Sequence, residues 1–566
     1  MSKYVFTRLV AALICLICGV LQATVEGTQT SPQISRDVRN LGVSVEEVAA
    51  LPGDPESVSA GGLTRNETPL LTIENRTAFG VSLKRRLVIV AGLEGKHESS
   101  MLALDAVHWF KTSAPEQDRR RWEVSVMPLA NPDSNVASVF PPDDGFFNDP
   151  ERPDTRYISR WVSYQVPDLV VELHAGAELR FRDTGAEGTL TASLARRGNA
   201  EGLGPVHTMF VTAPVSNGAR VMREVLARAP EGRSSLRNTI DRRVVREPLA
   251  VARLLAERYP GTPAMNYIPA VAWVHTLRLA SLIGDTALRA KVVREVSPWL
   301  HGERPLFGDR ISFAGIAGTM VFGELAKFPS ADQEAALRLA TEGVALGAEE
   351  LAPGVPEHGS GWSDDIFLGT IAATTAENPV GLVSAVRLIT RYAALLQQTS
   401  GLWHHSPEAP TAWGRGNGFA ARGLAETLTV LSEDHPDFSA VLDIYRRHMQ
   451  GMRSHQEPDG MWRQVVDLPG SYRETSVTAL TLTAMARGIR LGWLDESYHS
   501  VVDRAWRGVL AHVVDDGTLV DVCISTGAGP TLRHYLERTA VNGADDRGGA
   551  LVLGAALEMH ALLKDR

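Results

Sequence analysis

A change of hydrophobic period near residues 233–246 constrains this chain more than any other feature. Upstream of it lie apolar runs of strand length, Arg86-Leu-Val-Ile-Val-Ala-Gly92, Trp122-Glu-Val-Ser-Val-Met-Pro128 and Asp168-Leu-Val-Val-Glu-Leu-His174, with helical spacing between them, as over 99–110. Strands of this kind, alternating with helices, build an α/β sheet covered on both faces. Downstream, apolar residues recur three and four apart through 268–283, 313–325, 333–351, 380–397, 418–431, 438–452, 475–491, 498–513 and 549–563. With shorter stretches counted, roughly a dozen helices fit, joined by short connections bearing Gly, Pro and Asp. Helices with one apolar stripe must cover one another, and pairing them around a ring gives an all-α, α/α barrel with its functional loops at one end.

The expected organisation is therefore multidomain, with an N-terminal α/β domain over 69–245 and the barrel over 246–566. A length of 566 residues suits two or three domains. Ahead of them, Lys3 and Arg8 precede an apolar run from Leu9 to Leu21, with a cleavage site near Ala23. Residues 1–25 thus read as an export signal, and the mature chain as periplasmic or secreted with no stable membrane span. Residues 26–68, rich in Ser, Thr, Gly, Pro and charge, read as a linker or loosely packed entry segment. Cys15 and Cys18 leave with the signal, so Cys523 has no partner for an intramolecular disulfide. A net charge of −9 argues against a general nucleic-acid binder.

Two stretches gather chemistry-bearing residues, Trp362-Ser-Asp-Asp-Ile-Phe-Leu368 and Trp413-Gly-Arg-Gly-Asn-Gly-Phe419. In the second, three glycines let the backbone approach a ligand while Arg415 offers a guanidinium fork and Asn417 a carboxamide, which suits a sugar carrying a carboxylate. The same glycines also suit a connection between helices. Trp362 and Trp413 offer flat faces for a sugar ring, and Asp364 and Asp365 offer proton-transfer groups.

Further landmarks are Gly401-Leu-Trp-His-His405, Asp459-Gly-Met-Trp462-Arg-Gln464, Tyr472-Arg-Glu-Thr-Ser476, Asp521-Val-Cys-Ile-Ser-Thr-Gly527 and Gly548-Gly-Ala550. In that order and spacing, residues 250–566 resemble the unsaturated glucuronyl and rhamnogalacturonyl hydrolases of glycoside hydrolase families 88 and 105. The resemblance implies six helical hairpins and, with no cofactor in the barrel, an oligosaccharide substrate ending in a 4,5-unsaturated uronic acid left by a polysaccharide lyase. It implies hydration of the vinyl ether to a hemiketal that opens and releases the next sugar. One carboxyl group can give a proton to the double bond and then take one from water, so paired carboxylates at glycosidase spacing are not required. By motif position Asp364 is that group, and Asp365 is an N-cap for the following helix. His405, with His404 as its rival, is expected to line the sugar site, Arg415 and Asn417 to hold the uronate, and Trp413 or Phe419 to stack on a ring. Asp309, in Phe-Gly-Asp-Arg, stands where the family carries a second acid, while Glu474 and Asp545 or Asp546 are expected to tie loops and caps.

The N-terminal strands end in polar groups. Pro128-Leu-Ala-Asn-Pro-Asp133, Phe140-Pro-Pro, Phe147-Asn-Asp-Pro and the strand ending at His174 resemble the zinc carboxypeptidases of family M14, which implies a zinc-carboxypeptidase-like mixed sheet. The family's His-x-x-Glu is here Glu94-Gly-Lys-His97, with the ligand types exchanged, so Glu94, His97 and His174 are the candidate ligands for a Zn2+ ion. A catalytic Glu on a later strand is missing between Ala175 and Arg246. The functional classes compatible with these residues are an exported glycan hydrolase with a companion domain, a zinc carboxypeptidase-like or amidase-like hydrolase with the barrel as a carbohydrate-binding module, and a glycan binder with neither site active.

Overall fold

The computed structural model describes residues 36–53, 56–76, 78–134, 136–141, 152–197 and 200–565, so the expected export signal lies outside the described residues. Seven strands form one mixed sheet in the order β1-β2-β4-β3-β5-β7-β6: β1 Glu56–Leu63, β2 Pro69–Asn75, β3 Arg85–Ala91, β4 Trp122–Met127, β5 Leu169–Ala175, β6 Arg180–Arg182 and β7 His207–Ala213. The middle strands β4, β3, β5 and β7 are parallel, and β1, β2 and β6 add antiparallel edges. Successive side chains point to opposite faces. Leu87, Ile89 and Val171 pack on helices His97–Ser113 and Gly218–Arg228, and Val88, Val90 and Val170 pack on Pro153–Tyr164 and Ser235–Arg243. Burial on both faces is why these strands read as unbroken apolar runs.

Residues 26–68 are not a linker where they are described. Helix Arg36–Ala49 buries Leu41 and Val45 against the sheet, and β1 forms its edge. The composition misleads because Gly61 and Gly62 are packing residues: a Cβ on them would meet the rings of Trp161 and Tyr157.

From Pro248, apart from the short helix Leu532–Leu536, the described chain is a succession of twelve helical segments, alternately outer and inner. The inner ones are Tyr267–Ile283, Phe313–Leu325, Asp365–Thr375, Gly414–Val430, Thr475–Arg490 and Asp546–Lys564, and they touch one another in a closed cycle. Two burial patterns separate the classes. Outer helix Phe438–Ser454 buries one stripe, with Val441, Ile444, Tyr445, Met449 and Met452 on it, whereas inner helix Thr475–Arg490 is buried without a break from Thr475 to Gly488 and is rich in Thr and Ala. Asn266, Ser312, Glu474 and Asp545 cap four inner helices with their side chains. Tyr267 meets Phe419 edge-on and borders a pocket with Arg415 and Arg547, so these N-termini share one end of the ring. Two of these positive dipole ends carry a carboxylate of the chain itself, Glu474 and Asp545.

The sheet and the ring share a core. Trp413, Val465, Tyr472, Cys523 and Tyr535 of the helical region lie in the same buried cluster as Val88, Val170, Tyr157 and Trp161 of the sheet region. Charged groups stitch the seam: Arg473 pairs with Glu74 at 2.6 Å, and Arg243 and Arg246 donate to the carbonyls of Ala511 and Leu510.

Candidate active site

Asp364 stands at the entrance of inner helix Asp365–Thr375, its side chain 11% exposed. Its Oδ2 lies 3.3 Å from Nε2 of the fully buried His405. The loops that carry the two residues are tied directly, since Ser363 N donates to His405 O at 2.8 Å. On the far side of the imidazole, Nδ1 is 2.7 Å from the Tyr535 hydroxyl, which accepts the Gly529 N–H at 3.1 Å. A hydroxyl that accepts there still has its own proton to give to Nδ1, and in that arrangement the His405 proton is on Nε2, facing the carboxylate. Burial pushes the Tyr535 phenol up to about 12, so it stays a donor. Ser363 Oγ, Asp364 Oδ2 and His405 Nε2 are buried polar atoms without a hydrogen-bond partner among the described residues. Such a grouping is expected where a ligand or water supplies the missing bonds. Trp362, half-buried, meets His405 edge-on at 5.3 Å and gives the site an aromatic wall.

The glycine-rich stretch is not a ligand-binding turn. It is the first part of helix Gly414–Val430, and its expected binding groups face inward. Arg415 is buried and donates to the carbonyls of Cys523 and Ile524, each at 2.7 Å. Asn417 accepts from Trp403 N and donates to the carbonyls of Trp403 and Trp413, which uses its whole amide. Asn417 has no donor left for a uronate, Arg415 spends both ends of its fork on backbone carbonyls, and both lock neighbouring loops onto the helix. Trp413 is 1% exposed and packs against the His405 ring at 4.5 Å, while Phe419 stacks on Phe367. The glycines serve close approach: a Cβ on Gly416 would lie 2.4 Å from Ser363 Oγ, and one on Gly423 2.0 Å from Ile366 O.

Asp365 is architectural, though not as the expected cap of its own helix. It accepts from Ser360 N, Ser360 Oγ, Gly361 N and Tyr392 OH, and burial pushes its carboxyl up to about 6 against those donors. Of the adjacent histidines, His405 faces Asp364, while His404 bonds to Gln398. Asp309 is exposed in the loop before Phe313–Leu325, and the structure gives it no contact with Asp364. Glu474 accepts from Ser476 N, Val477 N and Cys523 N, and Asp545 from Gly548 N, so both tie caps. Tyr535 was not singled out in the sequence. It sits 130 residues from His405, in a short helix with no motif of its own.

The three candidate zinc ligands do not assemble. His97 is exposed at the start of helix His97–Ser113, and the described residues contain no group of three or more His, Cys, Asp or Glu able to hold a metal ion. Glu94 and His174 do meet, at 2.8 Å, and Glu172 bonds the other ring nitrogen at 3.2 Å. Burial lowers the imidazole, but hydrogen bonds to Glu172 and Glu94 outweigh it and hold it at about 9. With His97 turned away, Glu94 and His174 supply two of the three expected ligands, so the residues present do not fit the zinc site the sequence suggested.

Residues 362–563 match the model of Glycosyl Hydrolase Family 88. The unsaturated 3S-rhamnoglycuronyl hydrolase of Alteromonas sp. (strain LOR) is 32% identical over 111 residues, 19% of this chain and 27% of that enzyme, so the chain spans little more than a quarter of this relative. A protein of Agrobacterium fabrum is 30% identical over 161 residues, 25% of this chain and 67% of that protein. Among solved structures, a family 105 glycoside hydrolase of C. acetobutylicum superposes with a TM-score of 0.51 at 18% identity, over 56% of this chain and 100% of that one, which shows a common fold.

Proposed function

Because the chain belongs to glycosyl hydrolase family 88, we propose that it hydrates the vinyl ether of a 4,5-unsaturated uronic acid at the non-reducing end of an oligosaccharide and so releases the next sugar. The observation that carries this reading is the Asp364–His405 pair at the N-terminus of an inner helix, whose facing Oδ2 and Nε2 have no hydrogen-bond partner among the described residues. Asp364 as the acid delivers a proton to the double bond, and as carboxylate it then takes one from the water that attacks the adjacent ring carbon. The hemiketal so formed opens and expels the aglycone. His405 Nε2, 3.3 Å from the carboxylate, steadies its charge as the proton moves, and Trp362 offers a face to the sugar.

For the sheet region we propose a carboxypeptidase-like fold without metal chemistry, acting as a scaffold. Glu94 and His174 lie at the carboxyl ends of adjacent strands β3 and β5, and are spent on each other. Export, and polysaccharide lyases as the source of substrate, belong to the same proposal.

The test is the loss of ultraviolet absorbance of the conjugated double bond on a panel of unsaturated uronyl disaccharides. Wild type should consume at least one, and Asp364→Asn should slow it by about two to four orders of magnitude. Equal rates for the two proteins would overturn the assignment.

A further inference from the structure

An open cleft of about 1440 Å3, part of it continuous with solvent, runs along the seam between edge strand β1 and outer helix His499–His512. Its lining shares no residue with the site around Asp364. Arg76, Arg504 and Arg507 stand on its walls with the hydroxyls of Ser57 and Ser500 and the amide of Gln456. None of the three guanidiniums forms an ion pair among the described residues. Arg504 donates to Gln456 Oε1 at 2.6 Å, Arg507 to the carbonyl of Asp503 at 3.2 Å, and Arg76 to Ser57 Oγ. The carboxylates nearby are engaged: Glu457 pairs with Arg463 and Arg473, Asp459 pairs with Arg473, and Asp503 has a partner of its own. Burial lowers the pKa of Arg504, and the charges of Arg76, Arg507 and Arg453 lower it further. Asp503 on the same wall opposes these charges but counts for less at Arg504 than the other arginines do, so positive charge predominates along the open groove, although the chain as a whole carries −9. An anion in the groove would relieve that repulsion and accept from forked donors that have only neutral partners.

We infer that this cleft binds a stretch of anionic polysaccharide, its carboxylate or sulfate groups meeting Arg76, Arg504 and Arg507 and its hydroxyls meeting Ser57 and Ser500. The choice of a glycan over another polyanion rests on the function proposed above. The cleft then holds the chain on a polymer while the site around Asp364 works on released ends. Because the contacts are ionic and partly exposed, binding weakens as salt rises.

The experiment is affinity electrophoresis of the full chain, with Asp364→Asn and with Arg504→Gln/Arg507→Gln, through gels containing polygalacturonate, dextran sulfate or neutral dextran. Wild type and Asp364→Asn should be retarded by at least one of the charged polymers and not by dextran, and the double glutamine variant should bind about tenfold more weakly or worse. Retardation by polygalacturonate alone identifies carboxylates as the ligand, and by dextran sulfate alone, sulfates. Equal retardation of wild type and the glutamine variant, or none by either polymer, overturns the inference. If the glutamine variant also loses disaccharide turnover, Arg504→Lys/Arg507→Lys decides: retained binding supports the cleft, and lost binding sinks it. Turnover by wild type without polymer binding refutes the cleft alone, and polymer binding without turnover on any disaccharide refutes the catalytic reading alone.

Discussion

Tyr535→Phe tests whether the geometry behind Asp364 matters to catalysis. The substitution removes one oxygen and leaves the ring in its packing against His405 at 5.6 Å. Two bonds go: the 2.7 Å contact with His405 Nδ1 and the acceptor of Gly529 N–H. A buried group left unsatisfied costs about 1–3 kcal/mol, so the protein should unfold somewhat earlier. The catalytic effect is separate. Without the phenol proton at Nδ1, the imidazole is free to carry its proton on the far side and stop holding the Asp364 carboxylate. A loss of about 1–3 kcal/mol in transition-state stabilisation corresponds to a kcat roughly 5-fold to 150-fold lower. KM should stay within about twofold, because Tyr535 acts through His405 and not on substrate. The assay is the absorbance loss on the best unsaturated disaccharide, run in a cycle with His405→Gln. In that background Tyr535→Phe should cost little more, since the two residues act as one unit. Fully additive losses, or a change confined to KM, would refute the reasoning.

Arg415→Lys replaces a fixed fork that reaches two carbonyls with a single shorter ammonium and should destabilise the protein by about 1–3 kcal/mol in denaturant titrations, with KM unchanged; a raised KM at unchanged stability would return Arg415 to the substrate. Gly416→Ala places a Cβ against Ser363 Oγ and should cut kcat by about tenfold or more by moving the Asp364 loop, so full activity would show that the close packing there is not needed. His174, at about 9 when folded against about 6.5 when unfolded, is stabilising while protonated. Its contribution, about 3 kcal/mol, is fully present below pH 6.5 and is lost as pH rises through 9; His174→Gln should flatten that part of the stability curve, and an unchanged slope would remove the ion pair from the account. Prolonged treatment with a chelator should leave both turnover and melting temperature unaltered, which metal analysis and calorimetry check directly.

The change of period near 233–246 was enough to separate a doubly covered sheet from a ring of helices, because strand and helix expose their apolar residues at different intervals. Asp364 was legible from its motif, and His405 was one of two neighbours between which only the direction of the ring could choose. Arg415 and Asn417 show the limit of that inference. A guanidinium and an amide beside glycines look alike whether they await a ligand or close a helix against its neighbours. Which they do depends on the carbonyls of Cys523 and Ile524, more than 100 residues away along the chain. Glu94, His97 and His174 have the residue types of a zinc site, yet a helix start turns His97 outward and leaves the other two to neutralise each other. Tyr535 and the shared core of sheet and ring carry no local pattern at all. Residue types and their spacing thus determined the fold classes and the catalytic candidate, since those follow from local periodicity and chemistry; what each polar group bonds to was decided only by the packing of distant segments, because buried donors and acceptors must find partners wherever the fold brings them.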